Sequence, residues 1–217
     1  MNEANVCDVS LLLRDPGAYA EMVRESGRLG RVMVFLGAVT LLGIALFGLS
    51  LGFFVDWKVA CVDALKLTGA LAFAFLLCTP ALYVFSAICG STLNPLRLVS
   101  VGLICTATLS SVLAGLAPIV WLFAVSTESA AFITHFAVAM GGVAVALAFR
   151  PIVRAALKGV IGNPLGIVLW LLFVVTVTFQ TVTLVRPMLD PLDAERPPAG
   201  KTFFVKHLID VTFEGGK

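Results

Sequence analysis

The sequence predicts an all-α membrane protein: a polytopic bundle of five transmembrane helices, with an N-terminal helix lying at the membrane interface. Three observations predict it. Apolar residues make up 59% of the 217, charged residues only 13%, and mean hydropathy is +1.03, which leaves too little polar surface for a water-soluble domain. Five runs contain no Asp, Glu, Lys or Arg: residues 32–54, 67–89, 98–125, 130–149 and 165–185. Each can cross a hydrocarbon core about 30 Å thick, which takes roughly 20 helical residues. None shows the alternating pattern of a barrel strand, and in lipid only helices and closed barrels satisfy every backbone hydrogen bond.

Taken in order, residues 1–31 form a cytoplasmic N-terminal segment, 32–185 the five-span domain and 186–217 an extracytoplasmic tail. In the first segment Asp15-Pro16 is a helix start, a capping carboxylate followed by proline at the first helical position. Tyr19, Met22 and Val23 then share one face, and Glu21, Arg24, Glu25 and Arg28 cover the other. That pattern suits an interfacial helix on the cytoplasmic leaflet, or an ordinary solvated helix before the first span. Arg14, Asp15, Glu21, Arg24 and Glu25 interrupt any signal-peptide core, so the first apolar run is expected to act as an uncleaved anchor.

Orientation follows from the flanking cations, because Lys and Arg are retained in the cytoplasm. Arg14, Arg24, Arg28, Arg31, Arg97, Arg150, Arg154 and Lys158 fall on one side. Lys58, Lys66, Arg186, Arg196, Lys201, Lys206 and Lys217 fall on the other. The counts are nearly equal, but five of the second set follow the last span, so the early arginines set the N-terminus inside and the C-terminus outside. The tail opens on Arg186-Pro187, where proline disfavours helix, and ends in a segment carrying Phe203, Phe204, Leu208 and Phe213. Such residues outside the membrane call for cover, from the bundle, the headgroups or a partner.

Within the spans, small residues recur every four positions: Gly48 and Gly52, then Gly102, Thr106, Ser110 and Ala114, then Ala137 and Gly141. Such stripes let helix backbones approach closely, within one chain or between chains. In the fifth span Thr176, Gln180 and Thr183 share a face and are expected to turn toward other helices, as hydrogen-bonding glue or as the lining of a substrate path. Pro80 and Pro118 each remove an intrahelical hydrogen bond and are expected to kink their helices. His135, near the start of the fourth span, is the one ionisable residue inside a span. It reads first as interfacial or bonded to a neighbouring helix, and Ser126, Thr127, Glu128 and Thr134 beside it fit either a polar turn or a small outer site.

No catalytic constellation is present: no G-x-S-x-G, H-E-x-x-H, P-loop or G-x-G-x-x-G. Asp56 and Asp63 lie outside the spans, without a histidine nearby. There is no C-x-x-C, and Cys78, Cys89 and Cys105 lie in or at the ends of apolar runs, where cysteine behaves as a small hydrophobe. The sequence therefore predicts no enzyme, no cofactor and no metal site. A net charge of +2, without a dense basic patch, excludes nucleic acid as a partner.

Several clusters, in order along the chain, resemble an uncharacterised family of bacterial five-span membrane proteins. They are Leu13-Arg14-Asp15-Pro16, Lys66, Thr79-Pro80-Ala81-Leu82-Tyr83-Val84-Phe85, Gly90, Leu116-Ala117-Pro118-Ile119, and Gln180 with Leu184-Val185-Arg186-Pro187. The arrangement is also distantly similar to the Yip1 superfamily of membrane-organising proteins, without the Y-G-Y and D-L-x-G-P signatures of its eukaryotic members. The resemblance implies a bacterial inner-membrane location and a role in scaffolding or partner recruitment. The expectation is a non-enzymatic subunit of a membrane complex whose partners are lipid and other membrane proteins or further copies of itself. The alternative is a small permease or channel component with its pathway near Pro80, Pro118 and the polar face of the fifth span.

Overall fold

A computed structural model describes residues 9–25, 29–88, 95–157 and 164–184. They form seven helices and, among the described residues, no strand: α1 (Val9–Arg14), α2 (Pro16–Glu25), α3 (Leu29–Gly52), α4 (Trp57–Ile88), α5 (Pro95–Ser126), α6 (Ala130–Leu157) and α7 (Pro164–Leu184). Four apolar stretches among them are long enough to cross a membrane: Leu29–Gly52, Trp57–Ile88, Leu98–Ser126 and Phe132–Phe149. In α7 the corresponding described stretch is shorter, Val168–Thr181. A multi-pass helical membrane protein is therefore established, with four membrane-length helices among the described residues.

Helix ends follow local chemistry. Asp15 caps α2, its Oδ1 accepting from the amides of Gly17 at 3.0 Å and Ala18 at 3.1 Å, two of the donors a helix start leaves unpaired. Asp56 does the same for α4 through Trp57 N at 2.7 Å. Ser129 opens α6 by accepting from Phe132 N, while Thr127 Oγ1 accepts from Ser129 N. The residues between Val125 and Ala130 thus serve as a capping turn. Proline stands first in α2, α5 and α7, where its missing N–H costs nothing and its fixed φ suits the helix. Pro80 and Pro118 lie inside α4 and α5, which continue through them.

Helix α5 is the centre. Half of its membrane-length stretch is buried (50%), against 39%, 28% and 17% for α3, α4 and α6. Leu36 of α3 clusters with Ile104, Thr40 meets Ser110, and Phe47 clusters with Leu113 and Val120. Advancing along α3 therefore advances along α5, and the two run parallel. Helix α4 returns beside them and carries α7 on its other flank, joined in a core of Cys78, Leu82, Leu98, Val101, Cys105, Ala148, Trp170, Leu171 and Val174. Cys78 and Cys105 behave there as the small hydrophobes expected, both fully buried. The outward faces are also apolar, with Val34, Leu65, Leu76 and Ile88 all more than 70% exposed. In lipid such side chains need no protein cover, so the packing discriminates by size and fit and not by polarity.

Two boundaries differ most from the sequence expectation. Helix α4 begins at Trp57, ten residues before the charge-free run, and includes Lys58, Asp63 and Lys66. These charges delimit where lipid can surround the chain, but nothing in them stops a helix once Asp56 has capped it. Likewise α6 continues past Phe149 through Arg154 to Leu157.

Candidate functional site

The features that could do work lie along the seams between helices. Between α3 and α4 the close approach is made by Gly48 and Gly52. A Cβ on Gly48 would stand 2.9 Å from Ala64 Cα and 3.2 Å from the Asp63 carbonyl oxygen, and one on Gly52 would collide with Ala60 Cα. Only glycine permits this crossing, and the gain is backbone-to-backbone van der Waals contact. Asp63 lies on the same seam and is only 2% exposed. Its Oδ1 is 4.0 Å from Lys66 Nζ, one turn along α4, an arrangement that offsets part of the cost of taking a carboxylate out of water.

Between α3 and α5 the contact is polar as well as close. Ser110, fully buried, donates from Oγ to the carbonyl oxygens of Thr40 at 2.8 Å and Val39 at 3.1 Å. Gly43 makes room for it, since a Cβ there would collide with the Ser110 hydroxyl and lie 2.6 Å from its carbonyl oxygen. The Gly102, Thr106, Ser110 stripe does not face a single neighbour. A Cβ on Gly102 would lie 3.1 Å from both Leu82 Cδ2 and Trp170 Cη2, on the α4 and α7 side. Thr106 is buried with its hydroxyl on the Gly102 and Leu103 carbonyls of its own helix. Residues eight apart in an α-helix are about 80° apart around its axis, so the stripe divides between partners.

Trp170 locks α7 to α4. It is fully buried, donates from Nε1 to the Cys78 carbonyl oxygen at 2.9 Å, and meets Phe75 edge to face at 6.1 Å and 84°. Of the polar face expected on α7, Thr176 is exposed and its hydroxyl bonds to the Leu172 carbonyl. A hydroxyl satisfied one turn back has no need of a neighbouring helix. Gln180 is half-buried, and the side chain of Thr183 lies outside the described residues, as do Phe203, Phe204 and Leu208. Pro80 and Pro118 are both exposed. His135 is half-buried on α6, beside a ring cluster in which Phe136 lies 4.5 Å from Phe123 and 5.8 Å from Phe132.

The N-terminal helices are part of this packing. Leu12 and Tyr19 are fully buried and cluster with Val32 and Leu36 of α3 and Ile104 and Ala107 of α5. The face of α2 that the sequence offers to the membrane surface is, at Tyr19, covered by protein. Among the described residues no three His, Cys, Asp or Glu side chains converge as metal ligands would. Compared with known proteins, the chain matches no protein-family model, no curated protein and no solved structure.

Proposed function

We propose that the protein is a non-enzymatic scaffold or subunit of a membrane protein complex, and that it holds its partners through apolar helix faces and the aromatic tail. The observation that carries the reading is the Ser110 seam. The fully buried Ser110 hydroxyl is occupied by two carbonyls of the adjacent helix across a glycine contact. Thr106 and Thr108 instead bond one turn back to carbonyls of α5 itself. Ser110 fastens α5 to α3 and the threonine hydroxyls are satisfied within α5, leaving the outward apolar faces as the surface on which the protein meets other molecules.

In this reading α7, a helix of 21 residues, is the fifth span, and its charge-free run, 165–185, is long enough to cross. The N-terminus is cytoplasmic because Arg14, Arg24, Arg28 and Arg31 precede α3. The resemblance to bacterial five-span proteins and, more remotely, to the Yip1 superfamily points to the inner membrane of a bacterium. A photo-crosslinking residue at Leu76, 72% exposed on α4, tests the scaffold in native membranes. The expected product is a discrete adduct with another membrane protein or a second copy. Adducts to lipid alone from Leu76 and from other exposed positions on α3, α5 and α6 would overturn the reading. A reporter active only in the cytoplasm is expected to be silent when fused after Lys217, and its activity there would overturn the orientation.

A further inference from the structure

The N-terminal helices occupy a particular place on the central helix. Ser100, Ile104, Ala107 and Ser111 follow one another at intervals of four, three and four, which puts them on one face of α5. Gly115, Pro118 and Leu122 continue the same face. Its first half is covered: Ser100, Ile104 and Ala107 are at most 5% exposed. Its second half is bare, since Gly115, Pro118 and Leu122 are all exposed. Cover stops at Ser111, whose Oγ is buried with no hydrogen-bond partner, although serine and threonine hydroxyls elsewhere in the bundle bond one turn back. Leu12 and Tyr19 cluster with Ile104 and Ala107, and α2 packs against α3, α5 and α6 together.

Depth follows from helix rise. Ile104 and Ala107 lie seven and ten residues beyond Arg97, the last cation before the charge-free stretch of α5, about 10 and 15 Å along the axis. On α3, which runs parallel, the same cluster starts at Val32, directly after Arg31, so the contact runs from the membrane interface into one leaflet of a hydrocarbon core about 30 Å thick. Six and ten residues are also too few for α1 and α2 to persist as isolated helices, so their order depends on this docking. The Asp15 carboxylate serves the same end, satisfying helix-start amides that would otherwise be unpaired in an apolar setting.

We propose that α1–α2 is a re-entrant strap, seated within one leaflet and held by Leu12 and Tyr19, that closes half of an α5 face between α3 and α6. With the strap lifted, the face from Ser100 to Leu122 becomes one strip about 33 Å long, the length of a full membrane crossing. The strap thereby sets how much of this α5 face is open to lipid.

The test places a nitroxide at position 13 through p-acetylphenylalanine, in the full chain reconstituted in phosphatidylcholine vesicles. Leu13 is 38% exposed, next to the Leu12 anchor. A second label at Val34, on the outer face of α3, reports whether the bundle stays inserted. The strap predicts that dissolved oxygen collides with the position-13 label more often than a water-soluble nickel chelate does. Tyr19→Ala should raise nickel collisions there several-fold and sharpen the spectrum, with the Val34 label unchanged. Leu12→Ala, an independent loss of anchor, should act in the same direction as Tyr19→Ala. A position-13 label that nickel reaches more readily than oxygen in the unaltered chain overturns the proposal, and so does a signal unmoved by both alanine variants.

Discussion

Replacing Trp170 by alanine tests whether α7 is held to the bundle by close packing. Trp170 is fully buried, lies edge-on to Phe75, presses its Cη2 toward Gly102 and donates to the Cys78 carbonyl oxygen. In a soluble protein much of the loss would come from exposing apolar surface to water. In a bilayer the alternative to the core is lipid, so the loss comes from broken contacts and the space left behind. Removing a buried Trp side chain to alanine typically costs about 3–5 kcal/mol in a soluble protein, and the share that survives in lipid, lost contacts and the cavity, should be about 2–3 kcal/mol. The interhelical hydrogen bond accounts for a minor share, on average about 0.6 and at most about 1.7 kcal/mol in a membrane setting. Trp170→Phe, which removes the donor and keeps a ring in the site, should therefore cost about 1 kcal/mol from the lost bond plus a smaller packing penalty. Reversible unfolding of the purified full chain in bicelles, titrated with sodium dodecyl sulfate, reads both. An alanine variant destabilised by less than about 1 kcal/mol would refute the packing argument. A phenylalanine variant as unstable as the alanine variant would refute the division between packing and hydrogen bond.

Gly52→Leu drives a side chain into Ala60 across the α3–α4 crossing and should cost at least the roughly 1–3 kcal/mol typical of overpacking, in the same titration. Gly37→Ala, where a new Cβ meets nothing within 4 Å, should be neutral or stabilising by up to about 1 kcal/mol. Asp15→Ala removes the acceptor for the Gly17 and Ala18 amides and should loosen α2 by about 0.5–2 kcal/mol, seen as faster hydrogen exchange at those two amides. His135→Ala should leave abundance and crosslinked partners unchanged. Loss of partner adducts at normal abundance would give the imidazole a role beyond packing.

The sequence by itself determined that this chain is a helical membrane protein and roughly where four of its long helices run, because insertion depends on local properties. A run without charges of sufficient length is read by lipid without reference to the rest of the chain. The Asp15-Pro16 start of α2 was legible for the same reason, since a cap acts over three residues. What sequence could not decide is which way each residue faces. Glycines at four-residue spacing announce close approach but not the partner, and only the crossing of α3 over α4 and α5 distinguishes Gly52 at Ala60 from Gly43 at Ser110. Asp63 reads as a solvated residue in a link because its neighbours are Lys58 and Lys66, yet the continuation of α4 turns it onto α3 at 2% exposure. Tyr19 reads as a membrane-surface residue because its face is apolar, and it is the groove on α5 that covers it instead. Lipid and protein interior are nearly equivalent as solvents for a leucine or a tyrosine ring, so polarity does not sort inward from outward faces here. Shape does, and shape is a property of the assembled helices.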